Sequence, residues 1–256
     1  MQGQHCVVPA VYTGYVMKKF DIPFPGLADN VFNDLGDGQC VSVIGLSNSG
    51  KSSFMRALAS PPAHERCRQK RGRDGVLVYV DCNRAVDISA QAFYEVVIRS
   101  ILERVADVLD SSLVESLRDY HQSITEASNP FSASLSFNLA LTDLCEGLQQ
   151  DLCLLLDEFD EIYSALDDRA LLNLRALRDR FADRLVLVTA TIRELKALRG
   201  REFADEFAEL FVHSKYTLPA MKEEAMDRLL DDLELPFLDD EKRAQAKQFA
   251  GGHPGL

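Results

Sequence analysis

The chain has 256 residues, 46% hydrophobic and 27% charged, with Lys+Arg 28 against Asp+Glu 40 for a formal net charge of -12. These are the proportions of an ordinary globular protein; they exclude a disordered, collagenous or coiled-coil chain, and the length suits one large α/β domain or a domain with a small appendage. The acidic balance argues against holding nucleic acid by bulk charge, since phosphates are neutralised by clustered Lys and Arg, and leaves only a local basic patch for that purpose.

From the N-terminus, MQGQHCVVPA lacks the basic start and apolar run of a signal peptide. No apolar stretch approaches the ~20 residues of a membrane helix, so a cytoplasmic protein with no membrane partner is expected. Residues 1–37 read as a lead-in. A short β-branched strand follows at Cys40–Ile44 (CVSVI), then a helix at Ser52–Ala59. The stretch Ser60–Asp74 (SPPAHERCRQKRGRD) reads as a Pro-then-Arg-rich loop, either a solvated connection or a contact for a polyanion. Further strands are expected at Val76–Val80, Leu152–Leu156, Leu185–Val188 and, weakly, Phe211–Leu218. They are too short for helices and apolar on both faces, the pattern of strands buried in a parallel sheet.

Between them lie helical segments at Ala90–Leu109, Ser112–Ser123, Ser134–Gln149, Asp168–Phe181 and Phe203–Glu209. In the first of these, Phe93, Val96, Val97, Ile101, Val105 and Val108 recur at three- and four-residue steps and make one buried stripe. Strand–helix alternation implies βαβ units with helices on both faces of the sheet. After Pro219 the texture turns to helix only, Lys222–Leu233 and Asp240–Ala250, closing on GGHPGL. The division expected is therefore a lead-in 1–37, a core 38–219, and the start of a small helical lid at 220–256. Six cysteines (Cys6, Cys40, Cys67, Cys82, Cys145, Cys153) show no C-x-x-C pair and no matching His spacing. Neither a zinc site nor a disulfide framework is supported, and a reducing compartment is expected.

The strongest chemical signal is Gly45–Ser52, GLSNSGKS, a full G-x-x-x-x-G-K-[ST] set directly after a strand and directly before a helix. The backbone amides of such a loop, here Gly45, Ser47, Asn48, Ser49, Gly50, Lys51, Ser52 and Ser53, wrap a chain of phosphates. Glycines permit the close approach and the helix presents its positive end. Lys51 would reach the β/γ-phosphates and the Ser52 hydroxyl would bind Mg²⁺. From average composition the four fixed positions arise by chance about once in a hundred chains of this length, which the flanking strand and helix reduce further.

A second signal is LCLLLDEFD at Leu152–Asp160. A buried strand ending in two carboxylates puts Asp157 at its carboxyl edge, where it would hold Mg²⁺, and Glu158 beside it to orient or deprotonate a water. The same letters also suit a helix N-terminus with favourable dipole charge; Asp160 and Glu161 read as the first turn of the next helix. A third is LVLVTATIR at Leu185–Arg193. A strand lying between the other two would aim Thr189 or Thr191 at a γ-phosphate, with Arg193 adding charge stabilisation. The alternatives are a cap or a plain β-former for each threonine, and a surface pair with Glu194 for the arginine. The closing Gly251-Gly252-His253-Pro254 is a helix stop by local chemistry, while a proline in a lid turn can also pack on a base.

Taken together, GLSNSGKS, LLLDEFD, LVTATIR, LPAMKEEAMDRLL and GGHP resemble the STAND branch of AAA-related P-loop ATPases, signal-transduction ATPases related to archaeal and origin-recognition ATPases. The resemblance runs from about Gly38 to the end. It implies a three-layer α/β fold with a five-stranded parallel sheet in the order 5-1-4-3-2, helices on both faces, and a helical lid. It implies that Gly252, His253 and Pro254 meet the adenine, and that Arg193, or Thr191 in its place, senses the γ-phosphate. Members carry a Phe-x-Gly-Arg segment ahead of the phosphate loop; here the region reads IPFPGLADNVF without arginine, and Ile22–Phe24 are expected to pack there instead. The expected function is a switch that binds ATP or ADP with Mg²⁺, hydrolyses slowly, and controls self-association or a signalling partner. ATP is expected over GTP because no N/T-K-x-D string is present. The alternatives are an ATPase acting on DNA, for which Arg66–Arg73 is the one basic candidate, and a regulatory module that binds nucleotide without hydrolysis.

Overall fold

The structure, a computed structural model, describes residues 23–72, 75–106, 109–148, 150–199, 206–232 and 239–254. Five strands, β1 (Val41–Ile44), β2 (Gly75–Asp81), β3 (Asp151–Asp157), β4 (Leu185–Thr191) and β5 (Lys215–Thr217), pair in parallel in the order 5-1-4-3-2. This is the order the resemblance implies. Every residue of β3 and β4 is buried, whereas edge strand β5 keeps both ends exposed. A strand buried on both faces has no polar side to alternate with, which is why LCLLL and LVLV read as unbroken apolar runs.

In chain order the helices are α1 (Pro25–Gly36), α2 (Lys51–Leu58), α3 (Pro61–Arg71), α4 (Ala90–Val105), α5 (Ser111–Thr125), α6 (Pro130–Gly147), α7 (Asp160–Ala165), α8 (Asp168–Phe181), α9 (Leu195–Leu198), α10 (Glu223–Asp232) and α11 (Asp240–Ala250). The first three pack on one another, and α4, α5, α6 and α8 form a second group. Local chemistry sets many of their starts: Ser89, Asp110, Asn129, Asp167 and Asp239 each accept a hydrogen bond from a first-turn amide of α4, α5, α6, α8 and α11. α7 opens on Asp160 and Glu161, as its acidic run led one to expect.

An aromatic train knits the second group. Tyr94 stacks on Phe137 at 4.3 Å, Phe93 meets Phe159 at 5.7 Å, and Phe159 meets Tyr163 at 5.6 Å. Phe137 is fully buried, so Phe137→Ala is expected to cost about 3–5 kcal/mol, read as a lower urea midpoint at unchanged m.

The stretch Ser60–Asp74 is not a loop. Pro61 and Pro62 occupy the first turn of α3, where a missing amide hydrogen costs nothing, and Gly72 ends it at φ 69°. Ala63 and Cys67, one turn apart, face the core. Two of its basic groups already have acidic partners: Arg68 is bidentate with Glu65 at 2.8 and 2.9 Å, and Arg66 lies 3.6 Å from Asp29. The weak strand expected at Phe211–Leu218 shrinks to Lys215–Thr217, and Phe211 closes a 3₁₀ turn that begins at Ala208. The helix expected at Phe203–Glu209 falls partly on residues outside those described, and Glu209 belongs to that turn. Helix α1 went unforeseen inside the lead-in, yet Ala28, Val31, Phe32 and Leu35 bury its inner face in the core. Cys40, Cys67, Cys82, Cys145 and Cys153 are free and buried; Cys6 lies outside the described residues.

On α3, the His64 ring nitrogen Nε2 lies 3.0 Å from Arg104 Nη2. Guanidinium can only donate, so that nitrogen must be an acceptor and the ring neutral. Burial, then the Arg104 charge, hold its pKa down to about 4. In the unfolded chain the imidazole takes a proton near pH 6.5, while the folded one refuses it until about 4. Stability therefore falls as pH drops through that window, by roughly 2 kcal/mol once partial exposure is allowed for. Urea titrations at pH 7 and 4.5 are expected to show the loss, and His64→Gln to diminish it.

Candidate functional site

The five-strand order sets β1, β4 and β3 side by side, so the carboxyl ends of the three signal-bearing strands share one edge of the sheet. The turn after β1 is anchored there by Gly45, whose amide donates to the Thr191 carbonyl at 3.0 Å. A Cβ on Gly45 would sit 2.8 Å from Ser49 Oγ and 3.1 Å from Leu218 Cβ, so only glycine fits without displacing its neighbours. The loop then turns through Asn48 at φ 58° and Gly50 at φ 94°. Left-handed backbone at two positions curls successive amides toward one side, the geometry of an anion nest. Helix α2 starts immediately after, with no side-chain cap on its first amides, which leaves those donors for a ligand.

Lys51 is 2% exposed, and its ammonium donates to the carbonyls of Gly45 at 2.9 Å and Leu46 at 3.0 Å. Two of three donors thus hold the amine over the loop and one remains. Ser52, next along α2, lies with its hydroxyl 3.5 Å from Glu158 Oε1. Residues 106 positions apart in sequence meet here.

Asp157, at the end of β3, is wholly buried. Its Oδ2 accepts a hydrogen bond from the Tyr79 hydroxyl at 2.8 Å, and its Oδ1 has no hydrogen-bond partner. Burial, followed by the Asp157 charge, pushes the Tyr79 hydroxyl pKa up, so the phenol stays a donor. The side chain of Ser49 also buries an unpartnered oxygen. An orphaned carboxylate oxygen, a Ser52 hydroxyl held only by a long contact to Glu158 and a loop turning through left-handed backbone fit the oxygen-donor set of Mg²⁺ bound with phosphates.

Glu158 follows at φ 50°, left-handed backbone that a glutamate adopts only at some strain. Its pKa is raised, first by burial and also by Asp157 and Asp160, against a lowering by Lys51. Asp160 Oδ1 accepts the Ile192 amide at 2.8 Å, and the Phe159 amide donates to Ala190 at 3.2 Å. The acidic turn after β3 is therefore laced to the turn after β4.

Thr189 is fully buried with an unpartnered hydroxyl, while Thr191 donates to the Arg193 carbonyl at 2.7 Å. The Arg193 side chain is exposed and has no ion pair among the described residues; Glu194, offered as an alternative surface partner, pairs with Lys215 at 3.0 Å.

The closing GGHP comes back to the loop. Met221 donates its amide to Gly252 O at 2.8 Å, and Gly252 stands at φ 85° against Ala220 and Met221. A Cβ built on Gly50 would meet Phe24, Pro254 and Met221 at 3.7–3.9 Å, so three apolar side chains converge beside the phosphate loop. Phe24 was foreseen and Ile22 lies outside the described residues. Met221, Tyr79 and the Asp160 bridge escaped sequence reading, because each acts through a partner far along the chain.

The sequence matches the model of the novel STAND NTPase 1 family over residues 26–232. The chain belongs to this family. Among curated proteins none matches it. In fold, this STAND NTPase is similar to the ORC1 protein of Aeropyrum pernix solved with DNA, with a TM-score of 0.58 and 14% identity over 93% of this chain and 58% of that one. It is similar also to the ORC2 protein of the same organism in its ADP form, with a TM-score of 0.56 and 18% identity over 81% of this chain and 50% of that one. A Walker-type ATPase of Pyrococcus abyssi gives 0.55 and 14% over 92% and 65%. The chain thus spans between half and about two thirds of the length of these proteins. No helix among the described residues is long and apolar enough to cross a membrane.

Proposed function

We propose that this STAND NTPase is a nucleotide switch that binds ATP or ADP with Mg²⁺, hydrolyses ATP slowly, and uses the bound state to control assembly with itself or a signalling partner. The observation that supports the reading is Lys51 held over the loop and Ser52 facing Glu158, the residue that follows Asp157 with its orphaned Oδ1. In this reading the amides of Ser47, Asn48, Gly50, Lys51, Ser52 and Ser53 and the Lys51 ammonium grip the phosphate chain, while the expected Gly45 and Ser49 amides are already bonded to the Thr191 and Leu46 carbonyls. Ser52 and Asp157 would hold the Mg²⁺, which would supply neutralisation of phosphate charge.

Glu158 takes a proton from the attacking water. Its raised pKa brings it closer to working pH, where a base both stays ionised and accepts readily. Thr191 and Arg193 report the γ-phosphate; the exposed Arg193 side chain is unspent for that purpose. Phe24, Met221 and Pro254 would flank the base, and the Gly252–Met221 bond would carry the state to a lid taken from residue 220 onward. Five buried free thiols support a reducing, cytoplasmic setting.

The test is the melting temperature of the unaltered protein with Mg²⁺ and ATP or ADP, followed by phosphate release in a single turnover. No thermal response to either nucleotide would sink the reading, and a response without phosphate release would convert the protein into a binding module. Action on DNA gains little from α3, since Arg66 and Arg68 face acidic partners.

A further inference from the structure

The carboxylate at the end of β3 is held by a group that no motif contains. Asp157 and Tyr79 lie on neighbouring strands and on one face of the sheet, since Tyr79 pairs in register with Leu155, two residues before Asp157. That offset lets the phenol reach across to Oδ2 at 2.8 Å. On α2, five residues beyond Lys51, the Arg56 guanidinium lies 5.2 Å from the centre of the Tyr79 ring. The helix that begins at the phosphate loop therefore also touches the group that orients the acid.

A withdrawn ionised carboxylate is costly unless donors reach it. The identity of this donor matters. A lysine or arginine in its place would cancel the negative charge and compete with a divalent cation for the same oxygens. A phenol donates one strong hydrogen bond and leaves the full charge in place. Fixing one oxygen also stops the carboxylate rotating, so the other oxygen has a single direction, and that oxygen is the buried, unpartnered one.

We propose that Tyr79 is the positioning residue of the cation site, pinning Oδ2 of Asp157 so that Oδ1 alone is presented to Mg²⁺, with Arg56 bracing its ring. The proposal rests on the assignment of Asp157 to the cation made above.

The experiment is a Mg²⁺ titration of ADP-induced thermal stabilisation, set beside the ADP affinity in EDTA, for the unaltered protein, Tyr79→Phe, Asp157→Asn and the double variant. Tyr79→Phe is expected to raise the Mg²⁺ concentration at half effect about tenfold, the value of one charge-assisted hydrogen bond, while the EDTA affinity stays within about twofold. A general loosening of the fold would lower both. Asp157→Asn is expected to abolish the Mg²⁺ response, and adding Tyr79→Phe to it to change nothing more. If Asp157→Asn retains the full response, the cation assignment fails and takes this proposal with it. If Asp157→Asn loses the response while Tyr79→Phe titrates like the unaltered protein, the assignment stands and the role of Tyr79 is overturned. Should Tyr79→Phe fold poorly, Arg56→Gln provides the second variant: a rise in the Mg²⁺ midpoint of about fourfold at unchanged EDTA affinity supports the proposal, and an unchanged midpoint rejects it.

Discussion

Lys51→Ala is expected to abolish nucleotide-dependent stabilisation. At a nucleotide concentration a hundredfold above Kd, binding to the folded state alone adds about 2.7 kcal/mol, which in a chain of this size raises Tm by roughly 5–10 °C. The alanine variant is expected to show less than about 1 °C. The reason is local. The ammonium is buried and held at 2.9 and 3.0 Å by the two carbonyls that open the loop, so it is placed before any ligand arrives and loses little freedom on binding one. Removing it takes away the site's buried cation and leaves those carbonyls without their donor. Scanning fluorimetry with ATP, ADP and a no-nucleotide control decides the matter. A full shift in Lys51→Ala would mean that nucleotide binds somewhere other than this nest.

Glu158→Gln separates binding from chemistry. The amide keeps the size of the acid and its neighbour at Ser52 but can no longer accept the water's proton. Phosphate release is expected to drop at least about tenfold with ATP still stabilising the protein. The pH dependence carries its own sign. Burial, with help from Asp157 and Asp160, raises the Glu158 pKa. Activity of the unaltered protein is then expected to fall on the acid side at a pH above the ordinary glutamate range, because only the ionised form serves as base, and Glu158→Gln lacks that limb. The fold favours the protonated carboxyl, so the substitution is not expected to lower stability at neutral pH. Unchanged turnover would remove Glu158 from the reaction.

Both expectations start from motifs legible in the letters, and it is instructive where legibility stopped. The loop GLSNSGKS is local: its turn, its lysine and the following helix lie within a few residues, so their placement follows from adjacency. The acidic pair at Asp157 and Glu158 needed only the end of an apolar run. Helix α3 was misread because Pro-Pro followed by arginines has the composition of a loop, while two prolines in a first turn and a glycine after the last are the marks of a helix start and stop. Tyr79, in the run VLVYV, is indistinguishable from an ordinary strand residue until β2 is paired with β3 in register. The Asp160 bond to Ile192 and the approach of Pro254 to Gly50 likewise depend on which segments fold onto one another.

The amino-acid order alone determined the alternation of buried strands and helices, the amide nest with its lysine, and the two carboxylates at a strand end, since each rests on neighbours in the chain and on the short-range physics of turns, caps and periodicity. The tertiary structure decided what those groups face: a phenol that holds one oxygen of Asp157, a glutamate brought within reach of Ser52, and a proline returned to the phosphate loop from 204 residues away (254 less 50). Such pairings follow from strand register and from close packing of the whole core, and no local stretch of sequence encodes either.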